Sequence, residues 1–80
     1  MAPYFAPGTA VDAKAVTPSD STDLSNGTCQ ALWVGTAGNV SVITAAGTTV
    51  TITGASGLVP LQCSRVRSTS TTASTILALY

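Results

Sequence analysis

Eighty residues, 45% of them hydrophobic and only 8% charged, make one small domain whose surface is far poorer in charge than the roughly 25% of an ordinary globular protein. Lys14, Arg65 and Arg67 cancel Asp12, Asp20 and Asp23, so there is no basic stripe for nucleic acid. With no histidine and no glutamate the chain lacks the usual groups of acid–base and zinc chemistry, and no segment approaches the ~18 apolar residues of a membrane helix.

The N-terminal stretch "MAPYFAPGTA" has no basic region and no apolar run of signal-peptide length, so the expectation is a soluble protein made in a cytoplasm and not exported by the Sec route. Proline lacks an amide hydrogen and pushes its predecessor to extended angles. Pro3 and Pro7 therefore argue for an extended arm, assigned to residues 1–13, ahead of a single β domain, 14–80. Tyr4 and Phe5 are two of only four aromatic residues, and with Pro7 they form a candidate anchor. They either dock on another subunit or partner, or fold back on their own core. A short strand is expected near Lys14–Thr17. "TPSDSTDLSNGT", Thr17 to Thr28, follows as a loop dense in Ser, Asp, Asn and Gly.

From Cys29 onward the pattern is β. "CQALWVG" is an apolar run of strand length, and "NVSVIT" alternates, with Val40 and Val42 on one face. "TTVTITG" alternates more cleanly, Val50 and Ile52 pointing one way and Thr49, Thr51 and Thr53 the other. "LVPLQCSRVRS" and "STILALY" complete the set. Glycines in "TAGN", "AAGT" and "GASG" mark the expected tight turns between strands. In the fourth of these strands Leu61 and Cys63 share a face that Val66 leaves, which a bulge near Ser64 would repair. Short strands at this spacing predict an all-β fold, a small antiparallel β-sandwich or barrel with an extended N-terminal arm. The predicted core is Trp33, Val40, Val42, Val50, Ile52 and Leu77.

Candidate chemistry is sparse. Cys29 and Cys63 have no metal-site spacing and are read as free thiols, with a disulfide as the alternative. Asp20 and Asp23 in "DSTD" fall short of a calcium loop, and Arg65 and Arg67 share a strand face that is either solvated or turned to an acidic partner. A Ser or Cys nucleophile would have only Lys14 as base, with no motif around it. The expectation is therefore no enzyme, no cofactor and no metal. Fourteen Thr and nine Ser instead give faces that need no countercharge. Trp33, between Leu32 and Val34, reads as core packing, whereas an exposed Trp33 would favour a glycan-binding face.

Several segments in order carry a resemblance. "AVTPSDSTDL" (15–24), the Ala31–Gly38 run "ALWVGTAG", the "GTTVT" strand (47–51), "LVPLQCSRV" (58–66) and the "TTASTILALY" ending (71–80) are similar to the small head-spike base or capsid decoration proteins of tailed phages and gene transfer agents. The likeness covers roughly residues 10–80. It departs at "LQCSRVR", where relatives have a smoother, more basic strand, and does not extend to the first ten residues. It implies a structural virion protein on the capsid exterior, synthesised in a bacterial host cytoplasm. The implied partners are the major capsid protein, copies of itself as a trimer or pentamer, and a spike or fibre protein, without nucleic acid or membrane. The alternative is a receptor- or glycan-binding module of a phage spike or tail.

Overall fold

The computed structural model describes residues 10–80. Tyr4, Phe5 and Pro7 lie outside them. The described chain has five strands: β1 (Ala13–Ala15), β2 (Ala31–Thr44), β3 (Thr49–Val59), β4 (Cys63–Arg67) and β5 (Ser74–Leu79). All pairings are antiparallel within one sheet, in the order β1-β5-β2-β3, with β4 following β5 along the same edge of β2. The fold is all-β, as the alternating hydrophobic pattern requires. No helix among the described residues is long and apolar enough to cross a membrane.

The geometry of β2 decides the shape. Its N-terminal half, Ala31–Thr36, pairs with β5, and its C-terminal half, Ser41–Thr44, pairs with β4. Cys63 pairs with Thr44 on one side and is bridged to Cys29 on the other. Adjacent strands lie ~4.8 Å apart, so Cys29 and Thr44 are within about 10 Å of each other. A straight strand from Cys29 to Thr44 would hold them roughly 50 Å apart. The sheet is therefore folded over on itself, and the inner faces of its two halves meet. The fold occurs where the register of β2 against β3 shifts, between Val34 and Gly38 and again between Gly38 and Val40. Bulges and bends of this kind let one strand serve two packed layers.

Two of the expected turns are thus corrected. "TAGN" and "GASG" are not turns but the corner through which β2 and β3 run without a break. Their glycines serve the bend. Gly54 and Gly57 both have φ of +67°, which a side chain would resist. At Gly38 an added Cβ would lie 2.6 Å from the Ala73 nitrogen. "AAGT" is the hairpin turn, closed by Thr44 N–H to the Thr48 carbonyl at 2.8 Å and Gly47 N–H to the Thr44 carbonyl at 2.8 Å. The bulge near Ser64 is present: Ile43 faces Arg65 and Thr44 faces Cys63, leaving Ser64 unpaired between them. Cys63 and Val66 consequently both point inward and are buried.

The core is Cys29, Leu32, Val34, Val40, Val42, Ala55, Cys63, Val66, Ala73, Ile76 and Ala78, with Ile52 half-buried against it. Three residues expected there are elsewhere. Trp33 is 46% exposed, because odd-numbered positions of β2 ahead of the corner point to the uncovered side of the sheet. Leu77 pairs directly with Trp33 and shares that outer face, so Ile76 and Ala78 take the inward positions of β5. Val50 faces inward opposite Val42, but it sits at the hairpin end, past the covering layer, and stays exposed.

Residues 11–13 are part of the sheet edge, not of an arm. The Val11 and Asp12 amides both donate to the Tyr80 carbonyl, at 2.6 and 3.2 Å, and Ala13 pairs with Leu79. The loop of residues 17–28 lies along the free edge of β4, with Ser19 N–H to the Val66 carbonyl at 2.9 Å and Leu24 N–H to the Ser64 carbonyl at 3.0 Å.

Candidate interaction face

The outer surface of the sheet divides into two chemically distinct halves. On the half built from β1, β5, the start of β2 and the end of β3, register places Ala13, Leu79 and Ala31 in one row. Ala15, Leu77, Trp33 and Leu58 form the next. Directly paired residues of neighbouring strands share a face. The result is an apolar surface running across four strands, with Trp33 46% and Leu58 56% exposed at its centre. Sequence reasoning missed it. Strand periodicity places Trp33, Leu77 and Leu79 on a common face but does not reveal whether another layer covers that face.

The other half carries the charge. Arg65 and Arg67 share a face on β4, as their spacing predicts, but both turn to the 17–28 loop. Arg65 Nε is 2.8 Å from Asp23 Oδ1, and Arg67 Nε is 3.7 Å from Asp20 Oδ1. Arg65 also donates to the Asp20 carbonyl at 3.0 Å. Asp20 in turn accepts from the Thr69 hydroxyl and, at 3.0 Å, from the Thr69 amide. These hydrogen bonds, with Arg67 assisting, hold its carboxyl down at about 2, although the residue is open to water. The remaining pair, Lys14 Nζ to Asp12 Oδ2, spans 3.5 Å at the β1 edge. All six charged side chains of the chain are thus taken up in three internal pairs. Asp20 and Asp23, considered as a weak cation loop, are committed to arginines and Thr69. Among the described residues no cluster of three or more His, Cys, Asp or Glu exists to hold a metal.

A groove of about 360 Å³ separates the 14–25 segment from Val66, Ala78 and Tyr80. It holds Lys14 and Asp23, each already ion-paired, and no convergent set of free polar groups. The surface around Trp33 is the more distinctive feature.

No protein-family model matches the chain, and no curated protein does. Among solved structures, the chain is similar to one described as the capsid of a native gene transfer agent (GTA) particle computed with C5 symmetry. A chain of that particle is 40% identical, superposes with a TM-score of 0.78, and is matched over 89% of this chain and 83% of its own length. At that identity, over most of both chains, the protein belongs to the same family as this chain of the gene-transfer-agent capsid, a family of capsid-particle structural proteins.

Proposed function

We propose that the protein decorates the exterior of a virion head, as a cement or head-spike base protein, and associates with copies of itself through the apolar face around Trp33. The observation that carries this reading is the face itself. A surface of Ala13, Ala15, Ala31, Trp33, Leu58, Leu77 and Leu79 sits on a molecule whose six charged side chains are internally paired. Large exposed apolar patches mark interaction sites, and an uncharged face suits the same face of a second copy. The five-fold symmetry of the related particle favours a pentamer over a trimer. An interface of about 800 Å² per partner is roughly a sixth of the molecule's 4545 Å² surface, so assembly and stability are coupled.

The N-terminal arm, with Tyr4, Phe5 and Pro7, is assigned the second contact, to the major capsid protein. The chain becomes part of the sheet at Val11, beside Tyr80. Fully extended, the nine residues 1–9 would span up to about 30 Å, enough to leave the body of the molecule. A spike or fibre protein is a further partner for the assembled base. The test is co-sedimentation with capsids that lack the protein. The full chain pellets with them, and a chain without residues 1–9 stays in the supernatant with its β circular dichroism and melting temperature intact. Failure of the full chain to pellet, or pelleting of the truncated chain, contradicts the assignment.

Exposed Trp33 also favours a second reading, a glycan-binding face, because sugars stack on open aromatic rings. The register neighbours of the ring are Leu58 and Leu77, not the polar groups that would bond sugar hydroxyls. Saturation-transfer NMR with host surface glycans separates the two readings.

A further inference from the structure

The two cysteines, 34 positions apart in sequence, meet at the seam where the folded sheet closes. Cys29 and Cys63 form an isolated antiparallel bridge, with Cys29 N–H donating to the Cys63 carbonyl at 2.9 Å. Both side chains are buried in the same core. Directly opposed residues of antiparallel strands have Cα atoms ~4.5 or ~5.5 Å apart, depending on the type of pair. Either value falls within the 4.4–6.8 Å that a disulfide spans. Both thiols are free in this structure.

We propose that Cys29 and Cys63 are a covalent modification site, at which a small peroxide oxidant forms a cross-strand disulfide that seals the seam between β4 and the start of β2. The two sulfurs have different roles. The neighbouring Cys63 thiol, with backbone amides near Cys29 adding to it, draws the Cys29 thiol down toward thiolate. The Cys29 sulfur beside it, with burial, pushes the Cys63 thiol up. The single Cys63 S–H donates to the Leu61 carbonyl at 3.3 Å, which holds the proton on Cys63. Cys29 thiolate attacks one peroxide oxygen, breaking the O–O bond, to give a sulfenic acid and hydroxide. Cys63 sulfur then attacks the Cys29 sulfur. The sulfenic oxygen leaves as water, taking the Cys63 proton, and an S–S bond forms. Two thiols and one hydrogen peroxide become one disulfide and two waters. The reducing interior of a host cell keeps the thiols free, whereas a released particle meets oxidising surroundings.

The bond would join two residues that are already paired across the seam. Its site is also the narrowest link in the sheet, since this single bridge joins β4 to the segment that leads into β2. Closing a loop of this length restricts the unfolded chain and leaves the folded one in place.

The experiment uses the full wild-type chain, reduced, desalted and treated with a small excess of hydrogen peroxide. The intact mass is expected to fall by about 2 Da, with a peptide linking Cys29 to Cys63. The urea midpoint is expected to rise by about 1 M or more and to return to its starting value with dithiothreitol. Sulfinic or sulfonic acids at both positions, or disulfides only between chains, would overturn the proposal. So would an internal link that leaves the midpoint unchanged or lowers it. A Cys63→Ser chain should stop at the Cys29 sulfenic acid, trapped by dimedone. A Cys29→Ser chain that reacts faster with dimedone than Cys63→Ser would reverse the roles assigned to the two sulfurs.

Discussion

Gly38→Ala is the substitution that tests the folded-over sheet most sharply. A methyl group at this position would lie 2.6 Å from the Ala73 nitrogen, 2.8 Å from the Ala73 Cα and 2.9 Å from the Thr72 carbonyl carbon. All three are backbone atoms, so no side-chain rotation relieves the contact. The strands must separate by about 0.5–0.8 Å to reach even a tight van der Waals distance. That movement pulls on the bonds around Asn39. Its carbonyl accepts from Thr72 N–H at 2.8 Å and Ala73 N–H at 3.1 Å, and its own amide donates to the Thr72 hydroxyl at 2.9 Å. Overpacking costs ~1–3 kcal/mol, and weakening one or two hydrogen bonds adds ~1 kcal/mol each. Against this stands the ~0.4–1 kcal/mol that replacing glycine gains by restricting the unfolded chain. The net loss is about 2–4 kcal/mol from a domain expected to hold only ~4–12. The melting temperature should fall by roughly 10–30 °C, read by circular dichroism at matched protein concentration. A variant as stable as the wild type would show that β2 does not pass so close to the 72–73 backbone, and the corner as described would be wrong.

Two more predictions separate core from surface and fix the pH response. Leu32→Ala removes a fully buried side chain and should cost ~2–5 kcal/mol, whereas Leu58→Ala on the outer face should change the stability of the isolated chain by less than ~0.5, both from urea denaturation. For Asp20, the folded carboxyl lies below its ordinary value, so its contribution is present above about pH 4 and lost as pH falls through about 2. Asp20→Asn should lower the melting temperature at neutral pH and flatten its decline between pH 4 and 2. Parallel curves for the two proteins would rule out the Thr69 contacts as the source of that decline.

Much of the fold is legible in the sequence, and the misses share a cause. Alternation in "TTVTITG" and the slipped register of "LQCSRV" locate β3 and the Ser64 bulge, because both are local consequences of a period of two. The "AAGT" turn is equally local. The glycines of "TAGN" and "GASG" were legible as breaks in regularity. Only long-range pairing decides between a turn and a bend, and Cys63 lying between Cys29 and Thr44 settles it for a bend. The outer face was hidden for a related reason. Trp33 and Leu77 are large and apolar, and in a complete sandwich they would be core. Here the sheet folds so that Leu32, Val34, Ile76 and Ala78 fill the interior and the intervening residues face out. The Asp20 and Asp23 pairings cross more than 40 residues of chain, and nothing in "DSTD" announces Arg65 and Arg67.

The most direct test of the central claim, that the Trp33 face joins copies of this chain, is native mass spectrometry of the full protein beside a Trp33→Ser, Leu58→Ser double variant. The wild type should form a closed oligomer, of five copies on the pentamer proposed above. The double variant should be a monomer with a near-unchanged β spectrum, since both side chains lie outside the core. A monomeric wild type at tens of micromolar, or a double variant that keeps the same oligomer, would contradict it.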